Sequence, residues 1–128
     1  YTKNWQVEGT ELTTMMPDDA VLLYVPQSRS VVVALTHDPK LDDMALLDAL
    51  ISPAFYIGAI GSLRNCELRR KRLKELGITS SQPQRLHAPV GLSIGSHTPP
   101  EIALSIMAEI TQQRNIENVV EKKVVSVL

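Results

Sequence analysis

Short apolar runs alternate with charged, leucine-spaced stretches along the chain, and that alternation predicts its elements. SRSVVVALT, residues 28–36, is a continuous β-branched run, the pattern of a strand buried on both faces. FYIGAI at 55–60 predicts a second such strand. Between them THDPKLDD makes a polar turn, with Asp42 and Asp43 opening a helix that runs to about Ile51. SLRNCELRRKRLKELG then reads as a helix with Ser62 as N-cap and Gly77 just past its end. Its inward face would carry Leu63, Cys66, Leu73 and Leu76.

The flanks are read the same way. Val7–Leu12 predicts one short strand, and Pro17-Asp18-Asp19 the entrance of a brief helix that Pro26 stops. The loop TSSQPQRL leads into LHAPVGLSIGSHT, whose glycines and proline argue against a regular element. Thr98-Pro99-Pro100-Glu101 is a capping box with proline at the first helical position. The helix it starts, EIALSIMAEITQQR, puts Ile102, Ile106, Met107 and Ile110 on one side, with Leu104 and Ala108 widening the stripe. That pattern predicts a largely buried helix. VVEKKVVSVL predicts a final strand at a sheet edge, where Lys122 and Lys123 would discourage unwanted pairing.

Strands alternating with helices give the α/β class: one domain with a mostly parallel sheet flanked by helices. Ligands of such sheets bind beyond the carboxyl ends of the strands. A length of 128 residues suits a single core. A net charge of −1 and an aromatic content of 4% exclude a general nucleic-acid binder, which needs basic excess and stacking platforms. Cys66 stands alone, so neither an internal disulfide nor a cysteine-rich metal site can form, which fits a reducing compartment. No apolar stretch approaches the roughly 20 residues a membrane helix needs. YTKNWQVEGT lacks the pattern of a signal peptide, so the expected setting is cytoplasmic, with no membrane partner.

Two loops fall where a ligand would bind: Thr36-His37-Asp38, and Gly58–Ser62 with Arg64 beyond it. Backbone amides at a helix start attract anions, and glycine lets a phosphate approach closely. Gly58, Gly61, Ser62 and Arg64 are therefore candidate phosphate contacts. G-x-x-G-S is neither the dinucleotide fingerprint nor a P-loop, and the plain alternative is a strand-to-helix turn. Asp38 beside His37 could fix the ring for proton transfer, against the plain reading of a hydrogen-bonded turn before Pro39. His37, His87 and His97 have no metal-ligand spacing, so no metal site is expected. Cys66 reads as core, Asp18, Asp19, Asp42 and Asp43 as helix-start carboxylates, and the basic residues from Arg69 to Lys74 as a solvated face. No catalytic residue is assigned.

THDPKLDD, FYIGAIGSLRN and LHAPVGLSIGSHTPPEIALSIMAEI together resemble the Rossmann-type C-terminal domain of XdhC-type xanthine dehydrogenase accessory proteins. WQVEG and MMPDDAV resemble the segment just upstream. The matching positions are Thr36, His37 and Asp38; Gly58, Gly61, Ser62 and Arg64; and His87, Pro89, Gly91, Gly95, Thr98 and Glu101. The resemblance implies a Rossmann-like fold and a factor that helps mature molybdenum hydroxylases. Such a factor binds the molybdenum cofactor (molybdopterin), promotes its sulfuration and delivers it to the hydroxylase apoenzyme, acting as an accessory protein rather than a catalyst. It makes Gly58, Gly61, Ser62, Arg64, His37 and Asp38 the expected cofactor-binding residues. An NAD(P)-binding oxidoreductase domain is the alternative, and a structural interaction module without a ligand is a third reading.

The family's N-terminal domain and the first βαβ unit of its Rossmann fold have no counterpart in these residues, so a partial domain is expected. An open sheet edge exposes unpaired backbone, which a homo-oligomer would cover. Sedimentation at micromolar concentration should accordingly show a dimer or larger species, and a clean monomer would overturn that expectation.

Overall fold

Parallel pairing on both edges of one four-residue strand organises the molecule. The computed structural model describes residues 8–24, 29–36, 38–78 and 83–127. In chain order the elements are α1 (Pro17–Tyr24), β1 (Val31–Ala34), α2 (Pro39–Leu50), β2 (Tyr56–Ala59), α3 (Leu63–Glu75), a 3-10 turn (Pro83–Arg85), β3 (Leu86–His87) and α4 (Pro99–Val127). The sheet order is β1-β2-β3, with both pairings parallel. Val32 and Ala34 of β1 stand beside Ile57 and Ala59 of β2, and Ile57 in turn stands beside Leu86 of β3. The fold is Rossmann-like.

Side chains alternate across the sheet, so each face has its own layer. Ile57, Ala59, Leu86 and Ala34 enter one core with Leu46, Ala49 and Leu50 of α2 and Cys66 and Leu73 of α3, while Val32 packs at its margin. Tyr56, Gly58 and His87 project to the other face, where α4 lies: the Tyr56 hydroxyl reaches Glu109. All four β2 residues are buried, as the apolar run predicts. β1 departs from expectation, because Val31–Val33 are only half-buried. Its outer edge has no strand partner among the described residues, and the polar contacts of α4 with the sheet fall on β2 and β3.

Helix ends follow local chemistry. α2 begins earlier than Asp42: Asp38 is its N-cap, accepting from the Lys40 amide at 3.0 Å, and Pro39 occupies the first turn. Ser62 caps α3 by accepting from Asn65 N at 3.2 Å, and Gly77 follows the helix with φ +101°. Thr98 and Glu101 form the predicted capping box on α4. At the end of α2, Arg85 donates to the carbonyls of Leu50 (2.6 Å), Ser52 (3.1 Å) and Ala54, satisfying acceptors that the helix leaves open.

Four other expectations are corrected. No strand forms at Glu8–Leu12, which is turn and irregular backbone, while Val7 lies outside the described residues. The tail continues α4 through Val127 instead of forming a strand. LHAPVG does contain a strand, β3, two residues long and paired to the free edge of β2. In α4 only one stripe is covered: Ser105 and Ile106 are buried, whereas Leu104 and Met107 are 62% and 59% exposed, because the sheet lies against a single side. Pro26 and residues 79–82 lie outside the described residues.

α1 packs on α2, and this contact sets carboxylate against carboxylate. Burial raises the Asp48 carboxyl above its ordinary 3.8, and Asp18 and Asp19 across the contact raise it further. A carboxyl raised in the folded state favours folding while protonated, and that contribution is lost as pH rises through its folded value. Asp48→Asn should therefore be more stable than the parent at neutral pH, by on the order of 0.5 kcal/mol. Its advantage should vanish below about pH 4. Urea unfolding at pH 3.5 and 7 measures both.

Candidate functional site

The carboxyl ends of the three strands release three loops along one side of the sheet: Leu35-Thr36, Ile60–Ser62 and Ala88–Gly91. Two clefts open there and share Ile60 and Gly61 as their common wall. The larger, about 460 Å³, lies between the β2 and β3 loops and is lined by Leu63, residues 89–96, Ile102 and Ser105. The smaller, about 360 Å³, is lined by Thr36, Pro39, Asn65, Arg69 and Arg72.

Gly61 stands at the centre of this edge with φ +146°, backbone that side chains rarely adopt. It turns the chain from β2 into α3, directly over the buried Sγ of Cys66. Burial pushes the Cys66 thiol up, against the pull of Arg69 and Arg70, so the cysteine is core rather than nucleophile. Beyond Gly61, Ser62 occupies its own oxygens as a cap for Asn65 N and Cys66 N. The amides of Leu63 and Arg64 are the first of α3 and have no acceptor within the helix. Leu63 is 72% exposed at the mouth of the larger cleft, not turned inward as its spacing predicts. Arg64 is exposed beside it, without an ion pair among the described residues.

Gly58 has another job. It is buried inside β2 and lines neither cleft; a side chain there would overlap Val90 and come within 3.0 Å of the Tyr56 ring. Asp38 is exposed and engaged in capping α2. Its pairing with His37 lies outside the described residues.

The start of α4 is chemically different from that of α3. Pro99 and Pro100 carry no N–H, and the Glu101 amide is taken by Thr98 Oγ1. The Glu101 carboxylate itself accepts from His97 N at 3.0 Å. An anion therefore has donors at α3 and a negative charge at α4.

Between the two clefts and the core runs an ionic network that spacing does not reveal. Asp42 and Asp43 are buried, and so is Arg69, contrary to a solvated basic face. Arg69 lies 3.2 Å from Asp43 and 3.6 Å from Asp42, and Arg72 donates to Asp43 at 2.8 Å. Thr36 Oγ1 donates to Asp42 at 2.8 Å. The hydrogen bond from Arg72 to the Asp43 carboxylate raises the guanidinium further, keeping it charged. Two carboxylates and two guanidiniums balance, so the group holds the β1 loop to α3 rather than offering free charge. Arg70, also read as solvated, donates to the Leu86 carbonyl at 2.9 Å.

A second network lies on the α4 face. Glu109 Oε1 accepts from Tyr56 Oη at 2.6 Å and from Gly91 N at 3.2 Å, and lies 3.3 Å from His87 Nδ1. The Tyr56 and His87 rings stack with centroids 4.6 Å apart. Burial and the Glu109 carboxylate hold the Tyr56 phenol well above its ordinary 10. Sequence reasoning missed this group: Glu109 lies 53 residues from Tyr56, and only a glutamate inside an apolar helical stripe signals it. Among the described residues no cluster of His, Cys, Asp and Glu is arranged to hold a metal, and no helix is long and apolar enough to cross a membrane.

The model of the XdhC Rossmann domain matches residues 5–110. The chain belongs to the XdhC Rossmann-domain family. Relatives of this XdhC domain include YqeB of Escherichia coli (strain K12), an uncharacterized protein 36% identical over 110 residues, covering 79% of this chain and 20% of that one. The molybdenum cofactor insertion chaperone PaoD of the same organism is 34% identical over 85 residues, covering 66% and 27%. A probable xanthine dehydrogenase subunit of Bacillus subtilis (strain 168) is 31% identical over 107 residues, covering 84% and 30%. The crystal structure of a xanthine dehydrogenase from Bacillus halodurans superposes on this XdhC domain with a TM-score of 0.64 at 31% identity, over 80% of this chain and 29% of that one. The chain spans 20–30% of the length of these curated relatives.

The geometry separates two glycines that look alike in sequence. Gly58→Ala should cost about 1–3 kcal/mol of stability by overpacking against Val90. Chemical denaturation would measure it, and an unchanged midpoint would contradict the packing role.

Proposed function

We propose that this XdhC domain serves as part of a maturation factor for molybdenum hydroxylases of the xanthine dehydrogenase type. It binds a phosphate-bearing ligand at the carboxyl edge of its sheet and docks the hydroxylase apoenzyme. The observation that carries this reading is the start of α3. There Gly61 in its positive-φ turn and Leu63 line a cleft of about 460 Å³, and the open amides of Leu63 and Arg64 and the exposed Arg64 side chain belong to the same helix start. Donors of this kind fit a phosphate group, whether it belongs to molybdopterin or to a nucleotide. The name of PaoD, a molybdenum cofactor insertion chaperone, supports the molybdenum cofactor as cargo. In this reading Gly61, Ser62 and Arg64 meet the phosphate, Gly58 sets the close packing that aims the turn, and Asp38 with His37 completes the ligand contacts.

A nicotinamide-binding oxidoreductase domain is the second reading, favoured by relatives named for xanthine dehydrogenase.

Calorimetric titration of the chain with NADP, NAD, CTP and a molybdopterin-type ligand tests the proposal. Saturable binding of one of them, weakened about tenfold or more by Arg64→Ala, is the expected result. Silence from all four would overturn the ligand site, and turnover of a reduced nicotinamide with substrate would favour the second reading.

A further inference from the structure

We infer that Glu109 is the positioning residue of the larger cleft: its carboxylate latches the strap Gly91–Gly95 that walls the cleft opposite α3. The inference rests on the reading of that cleft as a ligand site, and concerns what fixes its shape.

The strap is held at its two ends by two glutamates of the same helix. At the first end, Glu109 Oε1 accepts from Gly91 N at 3.2 Å, and Leu92 N donates to Ser105 O at 3.1 Å. At the second end, Glu101 Oε1 accepts from His97 N, and Ser96 Oγ donates to the Glu101 carbonyl at 3.1 Å. Between these anchors the only backbone bond among the described residues is a local one, Ile94 N to Leu92 O. Gly91 and Gly95 have φ of +93° and +75°, so the strap enters and leaves its span through residues free to adopt left-handed backbone. Gly91 also lies against α4 so closely that a side chain would overlap Ser105. The first anchor is therefore a point contact between loop and helix, held by one charge-assisted hydrogen bond and one backbone bond.

Glu109 is itself fixed from the sheet. Tyr56 Oη donates to the same oxygen at 2.6 Å from β2, and the stacked His87 ring approaches it from β3. The strap is thus referred to β2 twice: Val90 N donates to Ala59 O at 3.0 Å just before it, and Gly91 N is held through the Glu109 carboxylate oxygen that Tyr56 fixes. The opposite wall, Gly61 and Leu63, hangs directly from the end of β2. Both walls are in this way referred to the same strand, and beyond the Val90 bond it is Glu109 that holds the Gly91 end of the strap to β2 and α4 together. A glutamine preserves this function, because its amide oxygen still accepts from Tyr56 Oη and Gly91 N. An alanine abolishes it.

Amide hydrogen exchange on the full chain tests the latch, comparing the parent with Glu109→Ala, Glu109→Gln and Tyr56→Phe, each at a denaturant-measured global stability. Exchange at residues 91–96 should rise about tenfold or more in Glu109→Ala relative to the rest of the molecule, and return close to the parent in Glu109→Gln. Tyr56→Phe, which keeps the ring stack and loses one donor, should show a smaller rise confined to the same residues. A rise spread evenly over the chain, or equal behaviour of the alanine and glutamine variants, overturns the latch in favour of a merely structural glutamate. Should Glu109→Ala prove too unstable, the Tyr56→Phe pattern decides alone. Titrations of the same variants with NADP, NAD, CTP and the molybdopterin-type ligand keep the two proposals apart. No binding by the parent removes the ligand reading while the exchange pattern still judges the strap. Binding that is unchanged in Glu109→Ala removes the positioning role while the ligand reading stands.

Discussion

Strand β2 is the constraint on which the rest of the molecule depends. Its four residues are buried and pair with β1 along one edge, while Ile57 and Gly58 pair with β3 along the other. Alternation sends Ile57 and Ala59 into the core with α2 and α3, and Tyr56 and Gly58 toward α4. No side chain larger than hydrogen fits at Gly58 beneath Val90, so the β3 loop can seat on the strand. The same strand ends at Gly61, where the chain must turn through positive φ to start α3. The candidate site is the consequence: a turn and a loop whose positions are both measured from one buried element.

Charge serves architecture more than the surface. The basic helix α3 commits Arg69 and Arg72 to Asp43 and Arg70 to a strand carbonyl, and Arg85 closes the end of α2. Burying such groups is favourable only where each finds partners, and then the pairs enforce geometry rather than add much stability. With those cations engaged, Arg64 is left exposed at the start of α3 as the charged side chain beside its first amides. That division leaves the candidate site with Arg64 rather than a broad basic surface, consistent with a net charge of −1.

What the sequence by itself determined is local. Caps at Ser62 and Thr98, the stop at Gly77, the apolar runs of β1 and β2 and the family blocks are written in residues a few positions apart, where i to i+4 chemistry decides. The Asp38-Pro39 pair was equally local and marks the true start of α2, one turn before the Asp42 and Asp43 carboxylates. Tertiary structure decided the rest. A two-residue β3 is a strand only because β2 offers it an edge, and α4 buries one stripe because the sheet covers one side. Asp42 and Asp43 became buried partners of arginines on α3, and Glu109 became the acceptor for Tyr56 and Gly91, because folding brings together groups that no periodicity relates. A lone polar residue in an apolar stripe announces that it needs a partner; only the packed chain supplies which one.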